Sequence, residues 1–492
     1  MTTAKNPILP QLPDDIIHQI LRLLPTKSAV RMRCVSKQFE DLWSINLDEG
    51  DPLDKDDDNP HQHTEFINFS ETSLDSRKND KHVDKFRLRM LRYSPKDSAI
   101  ISRYLRFAFK RNVMVLDLSL RSKPGLAYYN MSSAFLERNY ITTLNLECVR
   151  MNLGNHGIKL PLLRTMSFKS VEVDSQDSLT RLVSSCPNME NLSLNFKYAT
   201  HEKFCLSLET LLGLKYITTL HLENMKIKSD TDDRRVLYTN DGRERHLPLK
   251  TMSLKTVHLK LCTFHDLISR CPSVEYLSLS SCSFPRRSSI QFSCSSLKTL
   301  EVTDCNAQQF NVEATNLESF TLVSEIPLLG SEIGQLTRTA LHDCKNLKHV
   351  NIRSEHLHDI VLGGCRDCVE ATIDTPNLRY FNFIGNLKTT ISMEAPNLLE
   401  AKITLLCGRQ FPTLVDFLKI FGHSKKILLH VDDAEVDFVF PESFRKSVSC
   451  PPLPSLKHLV VYRKEKLKER DSDLQNSMLW MAPCAELKIK NK

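Results

Sequence analysis

One short apolar alternation returns along this chain of 492 residues, and it constrains the fold more than any other feature. Its form is Leu-x-Leu or a close apolar variant. Instances are Leu116-Asp-Leu118, Leu144-Asn-Leu146, Met166-Ser-Phe168, Leu192-Ser-Leu194 and Leu220-His-Leu222. Later ones are Val257-His-Leu259, Leu277-Ser-Leu279, Leu300-Glu-Val302, Phe320-Thr-Leu322, Val350-Asn-Ile352 and Phe381-Asn-Phe383. A period of two marks a strand with one buried face. Most recurrences fall about 20 to 30 residues apart, the period of stacked solenoid coils. A chain this long exceeds one ordinary core, and stacking resolves that, because each coil buries its apolar face on its neighbours. The array is expected over residues 113–490, with a polar insertion at 228–246.

The segments between strands differ. Helical stretches are predicted between Ser170 and Ser185 and between Phe264 and Arg270. From Cys294 to Leu405 the spacing shortens to roughly 20 residues. Extra alternations appear midway there, at Phe310-Asn-Val312 and from Val369 to Ile373, and they predict additional strands on the convex side. Beyond them, Phe417-Leu-Lys-Ile-Phe421, Ile427-Leu-Leu429 and Leu459-Val-Val continue the array less regularly.

Much of the cysteine content of 15 residues follows the repeat. Four units extend to Leu-x-Leu-x-x-Cys, another aliphatic sometimes filling a Leu slot: they end at Cys262, Cys282, Cys305 and Cys365. Cys148 and Asn224 lie close to the same place. Cys186 and Cys271 precede strands in Cys-Pro lead-ins. A buried cysteine acts as a small hydrophobe, so packing under the turn is the expected role. Cys365 and Cys368 form the single CxxC, and without a second ligand pair it predicts no zinc or redox centre.

The N-terminal segment has another character. Pro13 suits a first helical turn, and Asp14 and Asp15 complement the helix dipole. Ile16, Ile17, Ile20, Leu21 and Leu24 recur at helical spacing, and Pro25 stops the helix. A second helix is predicted from Ser28 to Cys34, and a third from Ser36, carrying Phe39, Leu42 and Trp43. Three such helices bury little core alone, so the unit needs a partner or the rest of the chain. It reads equally as a repeat cap or a docking module. The apolar face offers roughly 1.5–3 kcal/mol per fully buried side chain. Arg31, Arg33 and Lys37 add a basic fringe suited to an acidic partner.

The order Leu-Pro-Asp-Asp-Ile-Ile, Ile-Leu, Leu-Pro-Thr-Lys-Ser, then Arg31, Val35-Ser-Lys and Phe39, resembles the F-box over residues 12–43. Phe39 stands where many members have Trp. With the repeats that follow, the chain resembles the plant F-box/leucine-rich-repeat family. The resemblance implies an α/β repeat solenoid, a leucine-rich-repeat horseshoe, preceded by a small three-helix F-box module at 8–47. It implies that Leu12, Pro13, Ile16, Ile17, Ile20, Leu21, Leu24, Pro25, Val30 and Val35 form or support the contact with a Skp-type adaptor of a cullin–RING ligase. The array would hold an unidentified protein target for ubiquitination. Its candidate contacts are outward strand residues such as Asp117, Asn145, Ser193, His221, Ser278 and Glu301. Phe39, Leu42 and Trp43 would seal the array's end. Alternatives on the same architecture are a small-molecule, hormone-type co-receptor and a non-ligase scaffold.

Residues 48–84 read as an acidic and polar linker, with Pro52 and Pro60 in its acidic first part. Its Asp spacing lacks the central Gly and terminal Glu of a calcium loop. His61 and His63 read as exposed loop histidines. Residues 85–112 read as a basic amphipathic helical bridge or cap, with Ile101, Tyr104, Leu105, Ala108 and Phe109 on its apolar face.

The net charge of +7 is mild for this length, and aromatic content of 7% shows no stacking motif, which argues against nucleic acid. No nucleophile elbow, Walker loop or HExxH is present, so no catalysis and no cofactor are expected. No signal peptide or membrane span is expected. Cytoplasm and/or nucleus follow as the expected compartments.

Overall fold

Leu-x-Leu segments become rungs of parallel ladders in the computed structural model. It describes residues 44–50, 60–80, 82–122, 128–135, 140–153, 158–196, 204–229, 246–285, 288–305, 307, 309–324, 337–342, 347–365, 368–387, 389–405, 411–431, 438–448, 450–463 and 471–491. The chain divides into two units. Unit 1 holds residues 1–206 and 213–217, and unit 2 holds 207–212 and 218–492. Residues 12–43, with every adaptor-contact residue named above, lie outside the described residues.

In unit 1 the order is β1 (Ser44–Asp48), α1 (Pro60–Ser76), β2 (Lys85–Met90), α2 (Ser98–Lys110), β3 (Val115–Leu120), β4 (Tyr129–Ser132), β5 (Thr143–Glu147), β6 (Val149–Asn152), β7 (Thr165–Val173), α3 (Gln176–Ser184) and β8 (Asn191–Phe196). The main ladder runs β1, β2, β3, β5, β7, β8, all parallel. Its register aligns Ile45, Phe86, Leu116, Leu144, Met166 and Leu192 in one apolar stack. Leu47, Leu88, Leu118, Leu146, Phe168 and Leu194 form the next, and every one of these twelve side chains is buried. A short second ladder joins β4, β6 and the end of β7.

Two early segments depart from expectation. The ladder begins at β1 and β2, ahead of Val113, because Ile45-Asn-Leu47 and Phe86-Arg-Leu88 supply the same alternation. The segment read as a polar linker contains the helix α1, which buries Phe66, Ser70 and Leu74. Residues 85–112 are strand and helix in turn. Lys85, Arg87 and Arg89 alternate at period two and point off β2. Only α2 has helical spacing, and it buries the five apolar residues expected of it.

Unit 2 continues with β9 (Cys205–Ser207) at the boundary, α4 (Leu208–Leu212), β10 (Thr219–Lys228), β11 (Thr251–Leu259), α5 (Leu261–Ser269), β12 (Tyr276–Ser280), β13 (Ser289–Ser293), β14 (Thr299–Thr303), β15 (Gln309–Glu313), β16 (Ser319–Ser324) and β17 (Arg338–His342). There follow β18 (His349–Ser354), β19 (Asp359–Cys365), β20 (Glu370–Asp374), β21 (Tyr380–Gly385), β22 (Thr390–Glu394), β23 (Glu400–Leu405), α6 (Phe411–Lys419), β24 (Lys426–Val431), α7 (Glu442–Ser447), β25 (His458–Arg463), α8 (Asp471–Met481) and β26 (Glu486–Asn491).

Here two ladders interleave. Ladder one runs β10, β11, β12, β14, β16, β18, β20, β22. Ladder two runs β13, β15, β17, β19, β21, β23, β24, β25, β26. From β12 to β23 each short coil gives one strand to each ladder, so the midway alternations are indeed strands. At both ends of unit 2 longer coils place helices between successive strands of one ladder: α5 between β11 and β12, and α6, α7 and α8 among β23 to β26.

The ladders also reassign several motifs. Phe381-Asn-Phe383 and Ile360-Val-Leu362 belong to ladder two with Phe310-Asn-Val312, whereas Val369 to Ile373 leads into β20 of ladder one. Phe417 and Phe421 are not strand residues: they lie on and just past α6, and pack on Phe383 at 5.6 Å and Phe381 at 5.8 Å between ring centroids.

A turn follows the strands of the main ladders. Cys148, Ser170, Asn224, Thr256, Ser281 and Asp304 all have φ between 50° and 58°, each directly after five ladder residues. Cys148 and Asn224 therefore occupy the left-handed residue itself. Cys282 and Cys305 come one later, buried, with thiols donating to the Leu254 carbonyl at 3.2 Å and the Leu279 carbonyl at 3.5 Å. Cys262 is not equivalent. Thr256 already turns the chain, so the ladder segment is Met252-Ser-Leu254 and Cys262 sits exposed on α5.

Candidate interaction surfaces

Every second residue of a ladder strand points away from the core, and in register these residues form rows. In unit 1 the middle row is Asn46, Arg87, Asp117, Asn145, Ser167 and Ser193. In unit 2 the middle row begins His221, Ser253, Ser278, Glu301 and Thr321. The six residues singled out from sequence thus fall on middle rows, three in each unit.

The unit 1 face is tied by charge. Arg87 meets Asp117 at 3.4 Å and Arg89 meets Asp48 at 3.9 Å. Burial raises the Asp117 carboxyl, and Arg87, Lys85 and Arg89 offset that only in part. Glu147 on β5 is a hub: Ser119 Oγ donates to it at 2.6 Å, Arg121 approaches at 3.0 Å and Lys169 at 3.2 Å. Burial alone would raise its carboxyl, but these three donors together hold it below the usual carboxylate range.

Behind that face a carboxylate clamps the first coils. The Glu49 side chain is fully enclosed and accepts the backbone N–H groups of Leu91 at 2.5 Å and Arg92 at 3.1 Å. His63 of α1 faces Glu49 through Nδ1 at 2.8 Å and Asp97 through Nε2 at 3.3 Å. This corrects the reading of His63 as an exposed loop residue: it joins α1 to the segments that follow β1 and β2.

The unit 2 face is richer in hydroxyls. Thr251, Ser253, Ser278, Ser280, Thr299, Thr303, Ser319 and Thr321 cover its centre. Tyr276 donates to Glu301 at 2.6 Å, and Lys255 pairs with Glu223 at 2.8 Å. His221 is exposed, yet partial desolvation lowers its imidazole from the ordinary value.

Sequence reasoning missed the outward face of ladder two. A cavity of about 230 Å³ lies there, lined by Arg338, Asp359, Tyr380, Asn382, Glu400 and Lys402 among others. Tyr380 is half-exposed within it. Further along, His430 and Tyr462 stack with centroids 4.5 Å apart, and Lys490 lies 5.9 Å over the Tyr462 ring. The alternation Tyr380-x-Asn382 held the signal, had the ladder been known.

No group of three or more His, Cys, Asp or Glu side chains among the described residues is arranged to hold a metal ion. Cys368 is buried and its thiol is pushed up to about 11 by desolvation. Burial likewise pushes Cys186 and Cys271 up to about 12, which suits packing and opposes thiolate chemistry. No described helix is long and apolar enough to cross a membrane.

Comparison with known proteins adds three family matches. The F-box domain matches residues 9–47. The leucine-rich repeats described for the FBD-associated F-box protein At5g56370 match residues 209–365, and the general leucine-rich repeat matches 162–187. Among curated relatives from Arabidopsis thaliana, F-box/FBD/LRR-repeat protein At3g52680 is 29% identical over 37% of this chain and 39% of its own length. FBD-associated F-box protein At5g22730 is 22% identical over 77% and 83%, and F-box protein At4g27050 is 25% identical over 50% and 52%. The chain thus spans under two thirds of two of these three relatives.

Proposed function

We propose, for a chain that carries an F-box domain and leucine-rich repeats and whose relatives are Arabidopsis F-box/FBD/LRR proteins, the role of substrate receptor in a cullin–RING ubiquitin ligase. The observation that carries the reading is the F-box match at 9–47, whose last residues, 44–47, already belong to the first strand of the ladder. The F-box docks a Skp-type adaptor through Leu12, Pro13, Ile16, Ile17, Ile20, Leu21, Leu24, Pro25, Val30 and Val35. The outward rows hold the protein target, and catalysis belongs to partner enzymes. The protein works in the cytoplasm and/or nucleus.

Stacked parallel ladders support such a role because within each unit they present many solvent-facing strand positions side by side. The test is proximity labelling in cells with the intact chain and with residues 8–43 deleted, which leaves β1 in place. A receptor yields array-bound proteins that accumulate when 8–43 is removed. Bound proteins whose abundance is indifferent to that deletion would make the chain a scaffold outside any ligase.

A further inference from the structure

Ladder one stops at β22, while ladder two runs on through β23, β24, β25 and β26. β22 pairs with β20 on one side and with no described strand on the other. The register says which backbone groups are open. The Thr390 N–H donates to the Val369 carbonyl, and the Thr375 N–H donates to the Glu394 carbonyl. Alternate residues of a parallel strand bond the same neighbour. Thr390, Ser392 and Glu394 therefore face β20 with their peptide groups, and those of Ile391 and Met393 face outward from the ladder's edge.

The side chains tell the same story. Inward positions earlier in the ladder are sealed, as at Leu322, Ile352 and Ile373. Ile391 retains 7% exposure and Met393 is only half-buried. Edge strands usually carry a lysine, a proline or a bulge that deters pairing. The strand Thr-Ile-Ser-Met-Glu has none of these. Its outward rim is acidic. Glu370 and Asp374 stand on β20, facing His349 at 3.9 Å and Arg353 at 3.3 Å, and Glu394 is exposed with no ion pair among the described residues.

We propose that β22 receives an extended segment of a target protein as an added strand. That segment places apolar residues over Ile391 and Met393 and basic residues beside Glu394, Asp374 and Glu370. Main-chain bonds to the edge supply affinity, and the alternate side chains supply selection. The inference rests on the reading of the array as a target receptor.

The test uses the full chain and a fluorescent eight-residue peptide of alternating lysine and valine. Comparators are its glutamate–valine counterpart and a backbone N-methylated lysine–valine peptide. Fluorescence anisotropy should show at least tenfold tighter binding of the lysine–valine peptide than of either comparator. Met393→Pro removes an N–H that the β20–β22 ladder does not use, and should weaken binding at least tenfold with unchanged circular dichroism. Glu394→Lys should narrow the preference for the basic peptide.

Equal binding by the intact chain and Met393→Pro overturns the proposal, as does equal binding of the N-methylated peptide, which needs no variant to fold. A dimer in sedimentation that Met393→Pro dissolves assigns the edge to a second copy instead, and also overturns it. Recovery of a Skp-type adaptor is measured on the same samples. Normal adaptor recovery without peptide binding sinks the edge inference alone, whereas absent adaptor recovery sinks the receptor reading.

Discussion

In unit 1 the outward rows are cross-linked by charge; in the centre of unit 2 they carry mostly hydroxyls. Arg87–Asp117, Arg89–Asp48 and the Glu147 hub hold side chains of neighbouring strands in place. The serines and threonines from Thr251 to Thr321 impose little comparable order; what ties this region is Tyr276 on Glu301 and the pairs Lys255–Glu223, Lys298–Glu275 and Lys348–Glu318 at or beside the strand ends. A face already paired with itself gives up its internal bonds when a partner binds, whereas small hydroxyls can be covered at lower cost. The comparison assigns tighter internal pairing to the first coils and, under the proposed receptor role, recognition to the later ones.

Four predictions press on that contrast, from the largest effect to the smallest. Phe383→Ala empties a site where β21 packs on α6 and should cost about 3–5 kcal/mol. Hydrogen exchange should show the lost protection in β19, β21 and β23. Protection in β1 and β2 of unit 1 should be untouched, as expected where coils contact mainly their neighbours.

Glu49→Ala removes the acceptor for the Leu91 and Arg92 N–H groups and the partner of His63. It should cost about 2–4 kcal/mol, read by hydrogen exchange as weakened protection of β1 and β2. If β1 stays protected, the clamp is not what secures the first coils.

Thr256 is a β-branched residue at φ 52°, a conformation that asparagine, already present at Asn224, tolerates better. Thr256→Asn should raise stability by about 1 kcal/mol in urea unfolding. The same change at Ser170 should do less, since serine is not β-branched.

The pH dependence of unit 1 supplies the smallest effect. Glu147 has a folded value below its ordinary 4.5, so its contribution is present above that pH and is lost as pH falls through the folded value. Amide protection of β5 should decline below about pH 4.5 more steeply in the intact chain than in Glu147→Gln. Parallel curves would remove Glu147 from the account.

Strand existence was legible in the sequence because period two is local. Which ladder a strand joins was not, since Phe381-Asn-Phe383 and Phe320-Thr-Leu322 alternate alike and only pairing separates them. Val257-His-Leu259 misled for a related reason. Both halves of β11 alternate, and the left-handed Thr256 between them leaves no composition signal. Charge concealed β2, where three basic residues at period two look helical beside α2. The outward rows of ladder one were legible once strands were located. The cavity at Tyr380 was not, because it is built from strands of four coils.

The central claim is that this chain joins a Skp-type adaptor to whatever its array holds. Co-expression with such an adaptor, followed by affinity purification of the intact chain and of Ile16→Asp with Leu21→Asp, measures it directly. The account predicts a stoichiometric adaptor band with the intact chain and its loss in the double variant. Equal adaptor recovery from both, or none from the intact chain, would contradict it.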